Sequence, residues 1–220
     1  MLESDLINNV LCEIFVELYE AGLNTSRSGN ISARDGNTMI VSPSGVAASD
    51  ITPEKFAEVK IGNGEIVSEA LIPSSEWRIH HDIYNHFTET KAIIHTHSSY
   101  ATALSCLGLG LPPFHYMVAT FGSGPVKCAR YETFGTQKLS LSVIDAIKDS
   151  KVCLLANHGV IAVGESIREA YENAVLLEEL SKMYLISISV GKPNLLPEDE
   201  MVKLKNKFKT YGKENDYKAL

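Results

Sequence analysis

The sequence predicts a mixed α/β fold, with helices packed on the faces of a largely antiparallel or mixed sheet. Three observations carry this. Hairpin patterns lie at Asp35-Gly36-Asn37 and Gly62-Asn63-Gly64, each between short β-type runs. Apolar residues recur at helical spacing in segments flanking those hairpins. Short apolar runs, Ala92 to Ile94 and two within "VCLLANHGVIAVG", read as buried strands.

In chain order, residues 4 to 20 carry Ile7, Val10, Leu11, Ile14 and Leu18 on one helical stripe. The helix runs out at Gly22, and "NTSRSGN" follows as a loop. Strands are expected from Ile31 to Ala33 and from Thr38 to Ser42, then a turn at "SPSG". Thr52-Pro53-Glu54 supplies an N-cap and a first-position proline for a short helix. "AEVKIGNGEIVS" reads as a second hairpin. "PSSEWRIHHDIYNHF" reads as a helix capped by Ser74 or Ser75. A strand from Lys91 to His95 and a helix from about Ser99 to Cys106 come next. Residues 107 to 130 are rich in Gly and Pro, with strand-like pieces. A helix spans about Thr136 to Lys148. Two strands then meet at Asn157-His158-Gly159. Ser166 and Glu169 form a capping box that opens a long helix ending near Gly191-Lys192-Pro193. A last helix starts after Pro197 and ends near "FKTYG". There is no internal repeat, low-complexity run or linker, so residues 1–220 are expected to form one domain.

The formal net charge of −7 argues against a general nucleic-acid or membrane-surface role. No stretch approaches the ~18 apolar residues of a membrane span. "MLESDLINNV" has acids and no basic segment, so no signal peptide is expected. Cys12, Cys106, Cys128 and Cys153 show no CxxC and read as free thiols, consistent with a cytoplasmic location. The Lys-rich end, "VKLKNKFKTYGKENDYK", reads as a solvated helix face followed by a frayed tail.

Of seven histidines, His80, His81 and His86 lack the spacing that stacks them on one helical face. They read as solvated or locally bonded, and His115 as structural. His95 and His97 differ. Positions i and i+2 of a strand point to one side, with Cα atoms roughly 6.5–7 Å apart, so two imidazoles can converge on one ion. His158 stands at another interruption of strand sequence, where Gly159 permits a turn or a close approach. Three histidines at strand ends suit a catalytic zinc site with an open fourth position. Glu76, at a helix start, offers a further ligand or a base. The turns "SGNIS" (28–32), "SPSG" (42–45) and "PSSE" (73–76) offer backbone N–H groups and hydroxyls to a phosphate. The second and third hold no Arg or Lys, so that cradle is largely neutral.

Together, "GLNTSRSGNIS", "SPSG", "LIPSSEWRIH", "IIHTHS", "PPFHYMVATFG", "YETFGT", "NHGVIA" and "FKTYG" resemble, in order, the class II aldolase family. That family includes L-fuculose-1-phosphate aldolase and L-ribulose-5-phosphate 4-epimerase, and "HYM" and "FKTYG" look like the fuculose-phosphate branch. The resemblance implies a three-layer α/β/α sandwich around a mainly antiparallel sheet, assembled as a C4 homotetramer. It implies one Zn2+ per subunit on His95, His97 and His158, with Glu76 as ligand and acid/base. Gly29, Asn30, Ser44, Gly45, Ser74 and Ser75 match phosphate-binding turns. Tyr116 matches a tyrosine given to a neighbouring subunit's site, and Tyr211 one on the C-terminal tail. The implied reaction is retro-aldol cleavage of L-fuculose 1-phosphate to dihydroxyacetone phosphate and L-lactaldehyde, within fucose degradation. The alternative is a sister aldolase acting on another deoxy-ketose 1-phosphate, such as 5-deoxyribulose 1-phosphate. Further from the pattern stand an epimerase, which has an aspartate where this chain has Thr120, and a non-enzymatic adducin-like interaction module. Arg27 and Ser44 also depart from the close relatives, the first where they carry a smaller residue and the second in place of threonine.

Overall fold

The computed structural model describes residues 3–67 and 72–211. Helix α1 (Glu3–Glu20) forms on the expected stripe. Its Leu11, Ile14, Phe15 and Leu18 are buried. The strands are β1 (Asn30–Asp35), β2 (Thr38–Val41), β3 (Ala57–Lys60), β4 (Ala92–Thr96), β5 (Cys128–Ala129), β6 (Val152–Leu155) and β7 (Gly159–Gly164). The other helices are α2 (Trp77–His86), α3 (Ser99–Cys106), α4 (Gln137–Ile147), α5 (Ile167–Val190) and α6 (Glu198–Phe208).

The strands form one sheet in the order β3-β2-β1-β4-β7-β6-β5. Every pairing is antiparallel except β5 with β6. β4 is central, and all five of its residues are buried. A strand covered on both faces reads as a continuous apolar run, as "AII" does. Its side chains alternate between two cores. Ile94 joins Leu11, Leu18, Leu104 and Leu177, beneath α1, α3 and α5. Ile93 joins Ile79, Ile83 and Val143, beneath α2 and α4. The result is the expected α/β/α layering.

Local rules account for the starts of α4, α5 and α6. Thr136 Oγ1 accepts from Leu139 N–H, starting α4. Ser166 Oγ accepts from Glu169 N–H at 3.1 Å, starting α5. The Glu169 carboxylate reaches back to the N–H of Glu165, one residue earlier than a capping box requires. α6 places Glu198, Asp199 and Glu200 in its first turn and Lys205 and Lys207 in its last, matching the helix dipole. Its lysines are solvated. The tail beyond Tyr211 lies outside the described residues.

Four expectations need correction. The return arm of the second hairpin shrinks to one bridge, Val59 to Ile66. Ile66 and Val67 remain exposed; Ser68 lies outside the described residues. Residues 53–55 form a single 3-10 turn with Thr52 at its N-cap and Pro53 first, as expected, but the Thr52 side chain makes no capping bond. The N-cap of α2 is Glu76 rather than Ser74 or Ser75. Ser74 Oγ instead accepts from the N–H of Glu76.

His80 is the fourth. It is fully buried rather than solvated. It lies on the α2 face turned to the sheet, its Nδ1 2.7 Å from Ser32 Oγ, which is 2.9 Å from the Tyr84 hydroxyl. Burial, reinforced by His95, pushes its pKa down to about 3. An unfolded histidine takes its proton near ~6.5. Between those values the unfolded chain binds more protons, so stability is full above pH ~6.5 and falls as pH drops toward 3, by on the order of 1 kcal/mol per unit. His80→Asn should therefore be less stable at pH 7 yet show a shallower loss between pH 6.5 and 4. Urea unfolding at matched metal content measures this. Equal slopes would assign the acid sensitivity to other groups.

Candidate active site

One end of the sheet gathers the reactive groups. Antiparallel pairing sets the start of β1 beside the ends of β2 and β4, with Asn30 opposite His95. It sets the start of β7 beside the end of β4, with Val160 opposite Thr96. His95 is the fourth residue of β4, and His97 follows the strand directly. His158 sits in the turn from β6 to β7, where Asn157 takes φ +54. Gly159 serves close approach rather than turning. A Cβ there would overlap Thr96 O and come within 2.8 Å of His97 Cδ2. The start of α3 is fixed from below, because the N–H groups of Tyr100 and Ala101 donate to the Glu178 carboxylate of α5.

Glu76, 7% exposed, completes the cluster from the start of α2. Its Oε2 lies 3.1 Å from His95 Nε2, and its Oε1 3.2 Å from His158 Nε2. Asn30 Nδ2 donates to Oε2 at 3.2 Å. His97 Nε2 is 2.9 Å from His95 Nε2. One ligand atom from each of Glu76, His95, His97 and His158 lies within 4.8 Å of the others. His95 Nδ1 is 2.8 Å from Val160 O. A carbonyl only accepts, so Nδ1 carries the proton and the Nε2 of the neutral ring presents a lone pair. That lone pair faces a carboxylate oxygen and a second imidazole nitrogen. Three imidazoles and one carboxylate held this way fit a divalent cation.

The electrostatics of Glu76 and His97 agree with that fit, which needs an ionised carboxylate and neutral imidazoles. Burial raises the Glu76 carboxyl pKa, but the His95 and His158 imidazoles more than reverse this and hold it well below the usual range. Burial, with His95 and His158 alongside, pushes His97 down to about 4. Burial lowers His95, yet the Glu76 carboxylate raises it further than burial lowers it.

The three turns rich in Ser and Gly lie beside this cluster. Ser44 N–H donates to Ile72 O, and Ser74 N–H to Ser42 O. Ser42 Oγ accepts from Ile31 N–H. These bonds tie 42–45 and 73–75 to the start of β1, next to Gly29 and Asn30. Ser44, Gly45 and Ser75 are exposed, while Asn30 and Ser74 are buried. Ser75 lines a cavity of about 320 Å³ with Glu76, His97 and His158. A larger hollow of about 680 Å³, beside Asn37 and Lys60 at the sheet's other end, carries no imidazole or carboxylate.

Tyr116 and Tyr211 stand apart from that cavity's lining. Tyr116 stacks on Phe208 at 6.1 Å, and Phe208 meets Tyr211 edge-on at 6.2 Å. The tyrosines are 49% and 72% exposed. His115 is structural, its Nδ1 accepting from Met117 N–H. His81 and His86 are bonded locally, to Asp82. Four further cavity residues, Tyr131, Glu132, Phe134 and Asn157, escaped the sequence reading. Three lie in "YETFGT", where no periodicity marks them, and Asn157 adjoins His158. All four cysteines are free, and among the described residues no helix is long and apolar enough to cross a membrane.

This arrangement is matched among known proteins. Residues 9–185 match the family model described as "Class II Aldolase and Adducin N-terminal domain". Over 191 residues the chain is 42% identical to a 5-methylthioribulose-1-phosphate/5-deoxyribulose-1-phosphate aldolase of Rhodospirillum rubrum, spanning 87% of this chain and 86% of that one. It is 34% identical over 212 residues to the L-fuculose phosphate aldolase of Escherichia coli, spanning 96% and 98%. A solved structure of an L-fuculose 1-phosphate aldolase superposes with a TM-score of 0.89 at 34% identity, covering 92% of this chain and 96% of that one. With the fold, the Glu-His-His-His cluster and these matches in accord, the chain belongs to the class II aldolase family.

Proposed function

We propose that this protein is a zinc-dependent aldolase that cleaves a 5-deoxy-ketose 1-phosphate, 5-deoxyribulose 1-phosphate or its 5-methylthio analogue, to dihydroxyacetone phosphate and a short aldehyde. The observation that carries the aldolase reading is the convergence of Glu76, His95, His97 and His158. The substrate is supported by the 42% identity to one deoxyribulose-phosphate enzyme against 34% to 36% for the fuculose-phosphate enzymes. This displaces the fuculose expectation to second place. The exposed rings of Tyr131 and Phe134 at the cavity also favour an apolar tail.

The residues divide the work. Gly29, Asn30, Ser44, Gly45, Ser74 and Ser75 hold the phosphate with N–H groups and hydroxyls, which positions the reacting carbons. A zinc ion held by His95, His97 and His158, with the Glu76 carboxylate released from it for proton transfer, would supply Lewis acidity toward the carbonyl and hydroxyl oxygens. As the C3–C4 bond breaks, the C4 hydroxyl loses its proton and becomes the aldehyde, and C3 gains one. Glu76 moves the C3 proton, taking it from dihydroxyacetone phosphate in the condensation direction and returning it in cleavage. Asn30 holds Glu76 Oε2 for that transfer. Tyr116 serves the site of a neighbouring copy in a cytoplasmic homotetramer, since it is exposed and does not line its own chain's cavity, and Tyr211 serves from the C-terminal tail. Residues 1–220 act as one catalytic domain.

A panel of ketose 1-phosphates assayed for dihydroxyacetone phosphate release tests the substrate. The kcat/KM for 5-deoxyribulose 1-phosphate should exceed that for L-fuculose 1-phosphate by about 10-fold or more, as a pocket discriminates small changes at a substrate tail. A preference for fuculose would reinstate the second reading. Ribulose 5-phosphate should yield no xylulose 5-phosphate, because Thr120 supplies no carboxylate.

A further inference from the structure

Asn24 has no part in the chemistry above, yet it joins the two halves of the site. It follows the last turn of α1, its N–H bonded to Leu18 O, and it is 3% exposed. Its Oδ1 accepts from the N–H of His97 at 3.2 Å. That bond orients the amide, because a backbone N–H requires an acceptor. Nδ2 is therefore directed away from His97, buried and without a partner. The same amide packs against Gly29. That glycine takes φ +75, and a Cβ on it would overlap Asn24 Cγ, Oδ1 and Nδ2. His97 lies beyond the last β4 residue, so the sheet ladder does not hold its N–H.

We propose that Asn24 is a positioning residue that sets the backbone of the metal ligand His97 and is itself held in place by the turn at Gly29. A ligand fixed only through its ring is free to pivot about its backbone. Asn24 removes that freedom by anchoring His97 to the end of α1. Gly29 matters here for its missing side chain, which leaves the space the amide occupies. The inference rests on the metal reading of Glu76, His95, His97 and His158.

Cobalt(II) binding to the metal-free full-length protein tests it, read by the visible d–d spectrum and by competition with a chelator. Asn24→Leu keeps the volume and loses the acceptor. It should weaken cobalt binding by roughly 10- to 100-fold, the usual effect of removing a group that orients a ligand, and alter the spectrum. Asn24→Asp keeps an acceptor for His97 and should restore both. Gly29→Ala should reproduce the Asn24→Leu defect although the added methyl meets Asn24 and none of the four metal-ligand side chains. Gly36→Ala is its control. Gly36 has φ +55 with nothing near its absent Cβ, so it carries the same backbone penalty and should bind cobalt as wild type does. If Asn24→Leu fails to fold, the Gly29 and Gly36 pair decides. Wild-type affinity and spectrum in Asn24→Leu, or in Gly29→Ala, would overturn the proposal, as would an Asn24→Asp protein as defective as Asn24→Leu. A wild-type protein that binds no cobalt would instead overturn the metal reading on which it stands.

Discussion

His95→Ala should lose zinc and, with it, aldol cleavage by roughly a thousandfold or more, since the charge stabilisation a divalent cation supplies is worth several kcal/mol. No other ligand is so constrained. His95 is wholly buried in the central strand, its Nδ1 bonded to Val160 O and its Nε2 within 3.1 Å of both His97 Nε2 and Glu76 Oε2. Alanine removes the nitrogen at the centre of the cluster, the one that lies beside both His97 and Glu76. Metal content after dialysis, with chelator-treated wild type and zinc add-back alongside, measures the effect. Stoichiometric zinc at wild-type affinity in the variant would remove His95 from the ligand set. Thermal unfolding without metal should be recorded too, because the substitution also leaves a cavity between β1 and β7.

Glu76→Gln should separate binding from chemistry. Glutamine keeps one oxygen, and Asn30 Nδ2 already selects where an acceptor must lie, at the Oε2 position. The amide nitrogen then falls near His158 Nε2, where Glu76 now places Oε1. Zinc should stay bound, while turnover falls by about 10²- to 10⁴-fold because a neutral amide moves no proton. Exchange of the dihydroxyacetone phosphate C3 proton with solvent isolates that step from C–C cleavage. Exchange at the wild-type rate would show that another group carries the proton. Simultaneous loss of zinc would make Glu76 chiefly a ligand.

Much of this molecule was legible in short windows of sequence. Apolar periodicity located the helices and most strands, since a 3.6-residue or two-residue repeat is a local property of the chain. The pair His95 and His97 was legible because i and i+2 share a side, and Gly159 beside His158 announced a close approach. The serine-rich and glycine-rich turns were legible as turns. Pairing register and burial were not, because they depend on residues far apart in the chain. Only the folded sheet brings Asn30 to Glu76 across 46 positions, buries His80 against Ser32, and sets Asn24 under His97 across 73. It also reduced the second hairpin to a bridge between Val59 and Ile66. The residue types and short spacings that suit a metal ion were thus written in the sequence. The cluster's closure was decided by the tertiary structure, because antiparallel pairing of β1, β4 and β7 carries three imidazoles and the Asn30 amide to one end of the sheet, where the start of α2 adds the carboxylate.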